Sequence, residues 1–184
     1  MFYFLRENLF DDLGLIQLEG HTVETAALDW IDGQKFSAPL PLQTLILDPQ
    51  YGNNFPDFFD TTVPVMSGRL ASFLRKYGAD NIDAYPVMLH NKASGEYVSD
   101  YFAVNIIGCF NAAKLEESQY RLRFGKPYFT GRIALDNSLT PALPCFRLLY
   151  GPGLIVISQH IAEMLARETW TGILVQATED YAGV

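Results

Sequence analysis

The clearest alternation of apolar and polar positions runs through residues 63–111. Met66, Leu70, Phe73, Leu74 and Tyr77 recur at helical spacing and give this segment one apolar face. Ser67 stands where an N-cap belongs, its hydroxyl placed to accept from a free N–H of the first turn. Arg75 and Lys76 fall in the last turn, where cations suit the helix dipole, and Gly78 suits the left-handed residue that closes a helix. The pattern predicts a helix over 67–77. Residues 82–89 and 97–107 then read as two strands joined by a turn over 91–95. The core is expected to form on this helix and hairpin.

Around that centre the pattern is mostly of period two. Residues 2–5 and 13–18 read as short strands about a polar turn, and 42–47 as another. Tyr51-Gly-Asn-Asn-Phe-Pro-Asp-Phe-Phe-Asp reads as an aromatic loop with one helical turn after Pro56, either packed beneath the surface or exposed as a binding patch. Asn111 can cap a short helix through Ser118. Tyr120-Arg-Leu-Arg-Phe alternates, which predicts a strand with one wet face. Residues 145–149 and 154–157 are apolar strands about Tyr150-Gly-Pro-Gly. Ser158 then caps a second helix over 158–170, with Ile161, Met164, Leu165 and Thr169 on one side and Gly172 beyond its end. Residues 173–176 make a final strand.

Residues 65–76 align without gaps on residues 156–167, and each copy leads through a glycine into an apolar strand. Two readings stand: a duplicated strand–helix–strand unit, or two capped amphipathic helices obeying the same rules. Either way the fold class is α+β, a single domain over 1–184. Its mostly antiparallel sheet, of about six to nine strands, is covered by two principal helices.

Composition narrows the class. The 184 residues are 49% hydrophobic and 18% charged, ordinary globular values for one domain. No apolar run approaches the ~20 residues of a membrane span. The opening Met-Phe-Tyr-Phe-Leu-Arg-Glu has no basic start and no long apolar stretch, so no secretory signal is read. Cys109 and Cys145 are expected as buried thiols in a reducing compartment, and the expected location is cytoplasmic.

Charge changes the picture more. Residues 1–60 hold ten acids (Glu7, Asp11, Asp12, Glu19, Glu24, Asp29, Asp32, Asp48, Asp57, Asp60) against Arg6 and Lys35. That imbalance accounts for the whole net charge of −8. It is either a solvated acidic face or a surface that steers a basic partner. Binding to nucleic acid is not expected, since phosphate neutralisation needs a basic patch that the sequence does not declare.

No motif in the chain declares catalysis. Ser67 and Ser158 lack the Gly-x-Ser-x-Gly elbow and read as caps. His21, His90 and His160 are scattered without metal-ligand spacing, and no glycine pattern fits a phosphate loop, so neither metal nor cofactor is expected. Asp11–Asp12 and Glu116–Glu117 are sequence neighbours, which usually diverge, and they read as solvated turn or helix residues. Arg147 interrupts an apolar run, and alternation places it facing water; in a central strand it would need a carboxylate, Asp136 or Asp100.

The succession of Tyr3-Phe-Leu, Pro64-Val-Met-Ser-Gly-Arg-Leu-Ala-Ser-Phe-Leu, Gly78 and Asn81-Ile-Asp-Ala-Tyr-Pro-Val begins a longer match. It continues through Tyr101-Phe-Ala-Val-Asn-Ile, Phe146-Arg-Leu, Ile155-Val-Ile-Ser and Thr171-Gly-Ile. Across residues 1–176 this order resembles a family of bacterial immunity proteins of polymorphic toxin systems, first defined around a myxobacterial protein. The resemblance implies neutralisation of a cognate toxin by stoichiometric binding in the producing cell, with no active-site residues to carry across. A basic toxin would suit the acidic third. The expected partner surface lies within residues 7–60 and comprises Asp11, Asp12, Glu24, Asp29 and Asp32, with Trp30 as an aromatic anchor. The alternative is a small-molecule enzyme or ligand-binding protein whose site is assembled from distant segments, which a deep pocket with convergent titratable groups would favour.

Overall fold

The computed structural model describes residues 1–8, 14–19, 30–48, 52–140 and 142–183. Within these the chain runs β1 (Phe2–Glu7), β2 (Gln17–Leu18), β3 (Gln43–Asp48), β4 (Phe58–Phe59), β5 (Val65–Ser67) and helix α1 (Gly68–Lys76). There follow β6 (Ile82–Asn91), β7 (Glu96–Ile106), β8 (Cys109–Phe110), β9 (Tyr120–Arg123) and β10 (Lys126–Phe129). Last come β11 (Cys145–Leu148), β12 (Gly151–Ser158), helix α2 (Gln159–Leu165) and β13 (Ile173–Ala177). The class is α+β and the pairing mainly antiparallel, as the pattern predicts. The strands form two sheets rather than one, ordered β13-β1-β12-β11-β8 and β2-β3-β6-β7-β5-β4, with β9 and β10 apart as a hairpin.

Helix α1 follows from its local chemistry. The Ser67 hydroxyl accepts from the Leu70 N–H at 3.1 Å and donates to Asp57 Oδ1 at 2.7 Å. At the other end Gly78, at φ +97°, supports a pair of closing bonds, Gly78 N–H to Arg75 O and Ala79 N–H to Leu74 O. Leu70 and Leu74 are fully buried, each burial contributing about 1.5–3 kcal/mol. The carboxylate of Asp100 packs against Gly68, and a Cβ there would displace it.

Helix α2 starts as predicted, with the Ser158 hydroxyl accepting from Ile161 N–H. It ends at Leu165, short of the expected 170. The backbone N–H groups of Arg167 and Glu168 bond to residues three back, and the Trp170 indole donates to Leu165 O at 3.1 Å, so side chain replaces helix. Trp170 thereby meets Phe73 of α1 edge-on at 5.0 Å. Two other expectations are corrected. The segment after Pro56 is not a helical turn but strand β4, and residues 111–118 hold only a 3-10 turn over Leu115–Glu117.

The two helical units share one topology. Strands β5 and β6, joined through α1, flank β7 and run antiparallel to it; β12 and β13, joined through α2, flank β1 in the same sense. Leu5, Ile155 and Ile157 of one sheet meet Met66, Val104 and Ile106 of the other in a core that both helices cover. Asn81 stitches the sheets further, donating to Ile107 O at 2.6 Å and to Cys145 O at 2.8 Å. Strands β1 and β12 are buried on both faces. Leu5 and Ile155 point to this shared core while Phe4 and Val156 point to a second one with Phe129, Phe146 and Tyr181. That explains their near-continuous apolar sequences.

Candidate functional site

Arg147 occupies β11 between β12 and β8, and is 1% exposed. The expectation that it faces water is thus corrected: with neighbours on both sides and cores on both faces, this strand has no wet side. A carboxylate that feels its charge is Asp60, just beyond β4, which the sequence pattern does not point to. Burial pushes the Asp60 carboxyl up to about 6, against the attraction of Arg6 and Arg147. Glu7, at the end of β1, accepts the Asp60 backbone N–H at 3.0 Å and is pushed up to about 7, first by burial and also by the charge of Asp60. Two acids and two guanidinium groups, none from adjacent segments except Arg6 and Glu7, converge here.

Beside them opens a cleft of about 400 Å3 walled by Tyr128, Tyr150 and Tyr181, with Arg6 and Asp60 on its lining. The Arg6 guanidinium lies 5.5 Å from the centre of the Tyr181 ring, and Arg123 lies 4.0 Å over Tyr128. Carboxyls raised into this range can hold or release a proton near neutrality, which is what acid–base chemistry requires and what a buried structural charge cluster also produces.

The acidic third looks different in three dimensions. Glu7 and Asp60 are taken up by this cluster. Asp57 accepts from the Ser67 hydroxyl and from Thr171 N–H, with Arg69 at 3.9 Å, so it serves α1 rather than a partner. Glu19 is paired with Lys92 at 2.9 Å. Of the expected partner surface, Asp32 is exposed, whereas Asp11, Asp12, Glu24 and Asp29 lie outside the described residues. Trp30 is not an exposed anchor. It is 3% exposed and held edge-on against Phe36 at 4.8 Å and Tyr85 at 5.8 Å, within the core beneath β3, β6 and β7.

The feature that does project is the hairpin of β9 and β10. Its register pairs Tyr120 with Phe129, Arg121 with Tyr128, Leu122 with Pro127 and Arg123 with Lys126. Opposed residues share a face. One face therefore carries Tyr120, Leu122 and Pro127, ending on Phe129 in the core; the other carries Arg121, Arg123, Lys126 and Tyr128. Leu122 is 66% exposed, Tyr120 39%, and Phe124 at the tip fully exposed. Sequence alternation found the strand but assumed a dry face that does not exist. The signal for more was present in Arg121-Leu-Arg-Phe-Gly-Lys, a cationic, aromatic run containing no acid.

Among the described residues, no group of three or more His, Cys, Asp or Glu could hold a metal ion, and no helix is long and apolar enough to cross a membrane. Cys109 and Cys145 are thiols rather than a disulfide, and burial pushes the Cys145 thiol up to about 12. The chain matches no family model, and no curated protein matches it.

Proposed function

We propose that this protein is an immunity protein that neutralises a cognate antibacterial toxin by direct, stoichiometric binding in the cytoplasm of the producing cell. The observation that carries the reading is the β9–β10 hairpin, which holds Leu122 and Phe124 out in water where they contribute nothing to the core. Exposed apolar and aromatic groups clustered beside arginines are the composition of protein-binding hot spots. The resemblance of the sequence to toxin-system immunity proteins supplies the kind of partner. Co-expression with the toxin domain encoded beside this chain tests the proposal: survival together with a co-purifying one-to-one complex is the expected result. Toxicity that persists despite soluble expression of both proteins refutes it.

The cleft beside Asp60 and Glu7 favours a second reading, an enzyme or ligand-binding protein that reverses the damage. Under it, cells survive without a complex, and Asp60→Asn abolishes survival. Under the binding reading, survival requires the complex and withstands Asp60→Asn.

A further inference from the structure

We infer that the hairpin of β9 and β10 is the element that reads the partner, and that it enters an acidic cleft with an apolar wall on the partner protein. This rests on the direct-binding reading and reverses the sign expected from the sequence, where an acidic face was to meet a basic toxin. Three observations converge on it. Arg121, Arg123 and Lys126 give residues 119–130 a charge of +3 with no acid among them, on a chain whose net charge is −8. The cations stand on one face of the ribbon and Tyr120 and Leu122 on the other, so the two faces call for an acidic wall and an apolar wall.

The third observation is the tip. Phe124 and Gly125 take φ of +51° and +75°, the type I′ pattern of two-residue hairpins, whose first position suits Asn, Asp or Gly. A phenylalanine there strains the backbone, and its ring touches no core. A residue that harms the turn and packs on nothing is accounted for by something outside the chain. Four paired positions on each strand carry that tip about 13 Å along the hairpin.

Charge complementarity selects the occupant. A basic protein surface would repel the hairpin, and an anionic bilayer or nucleic acid would repel the acidic body behind it. Two hairpins from two copies would bring their cations together. An acidic partner cleft attracts the hairpin while the separation of charge between hairpin and body orients the approach.

The test uses the full chain and the toxin domain encoded beside it, with binding kinetics measured over a salt series. Two variants are compared with the parent: Leu122→Thr with Phe124→Asn, and Arg121→Glu with Arg123→Glu and Lys126→Glu. All five side chains are exposed, and circular dichroism checks that both variants fold. The apolar pair should weaken affinity by about 30-fold through faster dissociation. The charge reversal should slow association by about 10- to 100-fold at low salt and remove its salt dependence. A parent that binds while both variants bind equally well overturns the inference and leaves the direct-binding reading standing. A parent that neither binds nor protects overturns both. Sedimentation of the parent alone, with phosphatidylserine vesicles, or with single-stranded DNA completes the set. Hairpin-dependent association in any of these, without toxin binding, replaces the acidic partner cleft and overturns the inference.

Discussion

Replacing Phe124 by Asn should make the protein more stable. The residue sits at φ +51° in a two-residue turn, a conformation that costs an L-residue with an ordinary side chain roughly 1–2 kcal/mol and that Asn visits routinely. Against that gain stands whatever packing the ring supplies, and the ring is fully exposed, so the loss is close to nil. Relief is partial, since Asn still carries a Cβ, and a net gain of about 1 kcal/mol follows. For a chain of 184 residues this corresponds to a rise in Tm of about 2–4 °C. Differential scanning calorimetry reads the shift, and urea unfolding should show a higher midpoint with an unchanged slope. Phe124→Ala is the control: it removes the ring but keeps a Cβ without the local hydrogen bonding of Asn, so its Tm should stay near that of the parent. A parent-like or lower Tm for Phe124→Asn would refute the claim that the turn is strained. It would also remove the third support for the hairpin as a reading element.

The remaining predictions concern the core and its charges. Ser67→Ala should cost about 1–2 kcal/mol and Ser158→Ala nearer 0.5 kcal/mol by urea unfolding, because Ser67 makes the shorter cap bond, 3.1 Å against 3.4 Å, and also donates to Asp57; equal losses would contradict that ranking. Folding stability should fall as pH rises from about 4 to about 8. Glu7 and Asp60 are raised in the folded state to about 7 and about 6, so the fold binds protons more tightly than the unfolded chain below those values and loses that advantage as pH climbs through them. Glu7→Gln should flatten part of this slope in Tm measured against pH, and an unchanged slope would remove Glu7 from the account. Arg147→Met should destabilise by about 3–5 kcal/mol by leaving Asp60 short of a buried cation, and adding Asp60→Asn should recover part of the loss; a double variant no better than the single would show that the two do not act as a pair.

What the sequence made legible is what depends on neighbours along the chain. The caps at Ser67 and Ser158, the closing glycine at 78 and the hairpin of β6 and β7 all rest on interactions within a few residues, and each appears where the pattern puts it. Arg147 was illegible for the opposite reason. Alternation within its own strand cannot reveal that β8 lies on one side and β12 on the other, nor that Asp60, far back in the chain, supplies the counter-charge. The acidic third misled in the same way. Counting charges treats Glu7, Asp57 and Asp60 as surface, whereas each is engaged by a group distant in sequence. Trp30 reads from the sequence as an aromatic anchor, and only the positions of Phe36 and Tyr85 show it to be core.

The matched topology of the two helical units has a consequence for assembly. In the first unit β5, α1, β6 and the intervening strand β7 follow one another directly, so the unit can close soon after residue 106 has been synthesised. In the second, the intervening strand is β1, which precedes every other strand named here, while β12 and β13, between which it must fit, are completed only at residues 158 and 177. Strand β1 therefore waits with both edges open until those two later strands have been made, a liability for wrong pairing. Since Tyr3 lies opposite Ala177, a rearranged chain in which β1 follows β13 through a connection that keeps Tyr181 on Phe4 would give β12, α2, β13 and β1 the same order as the first unit. Such a permutant would replace the longest-range closure in the molecule by a local hairpin, and should refold faster than the natural order.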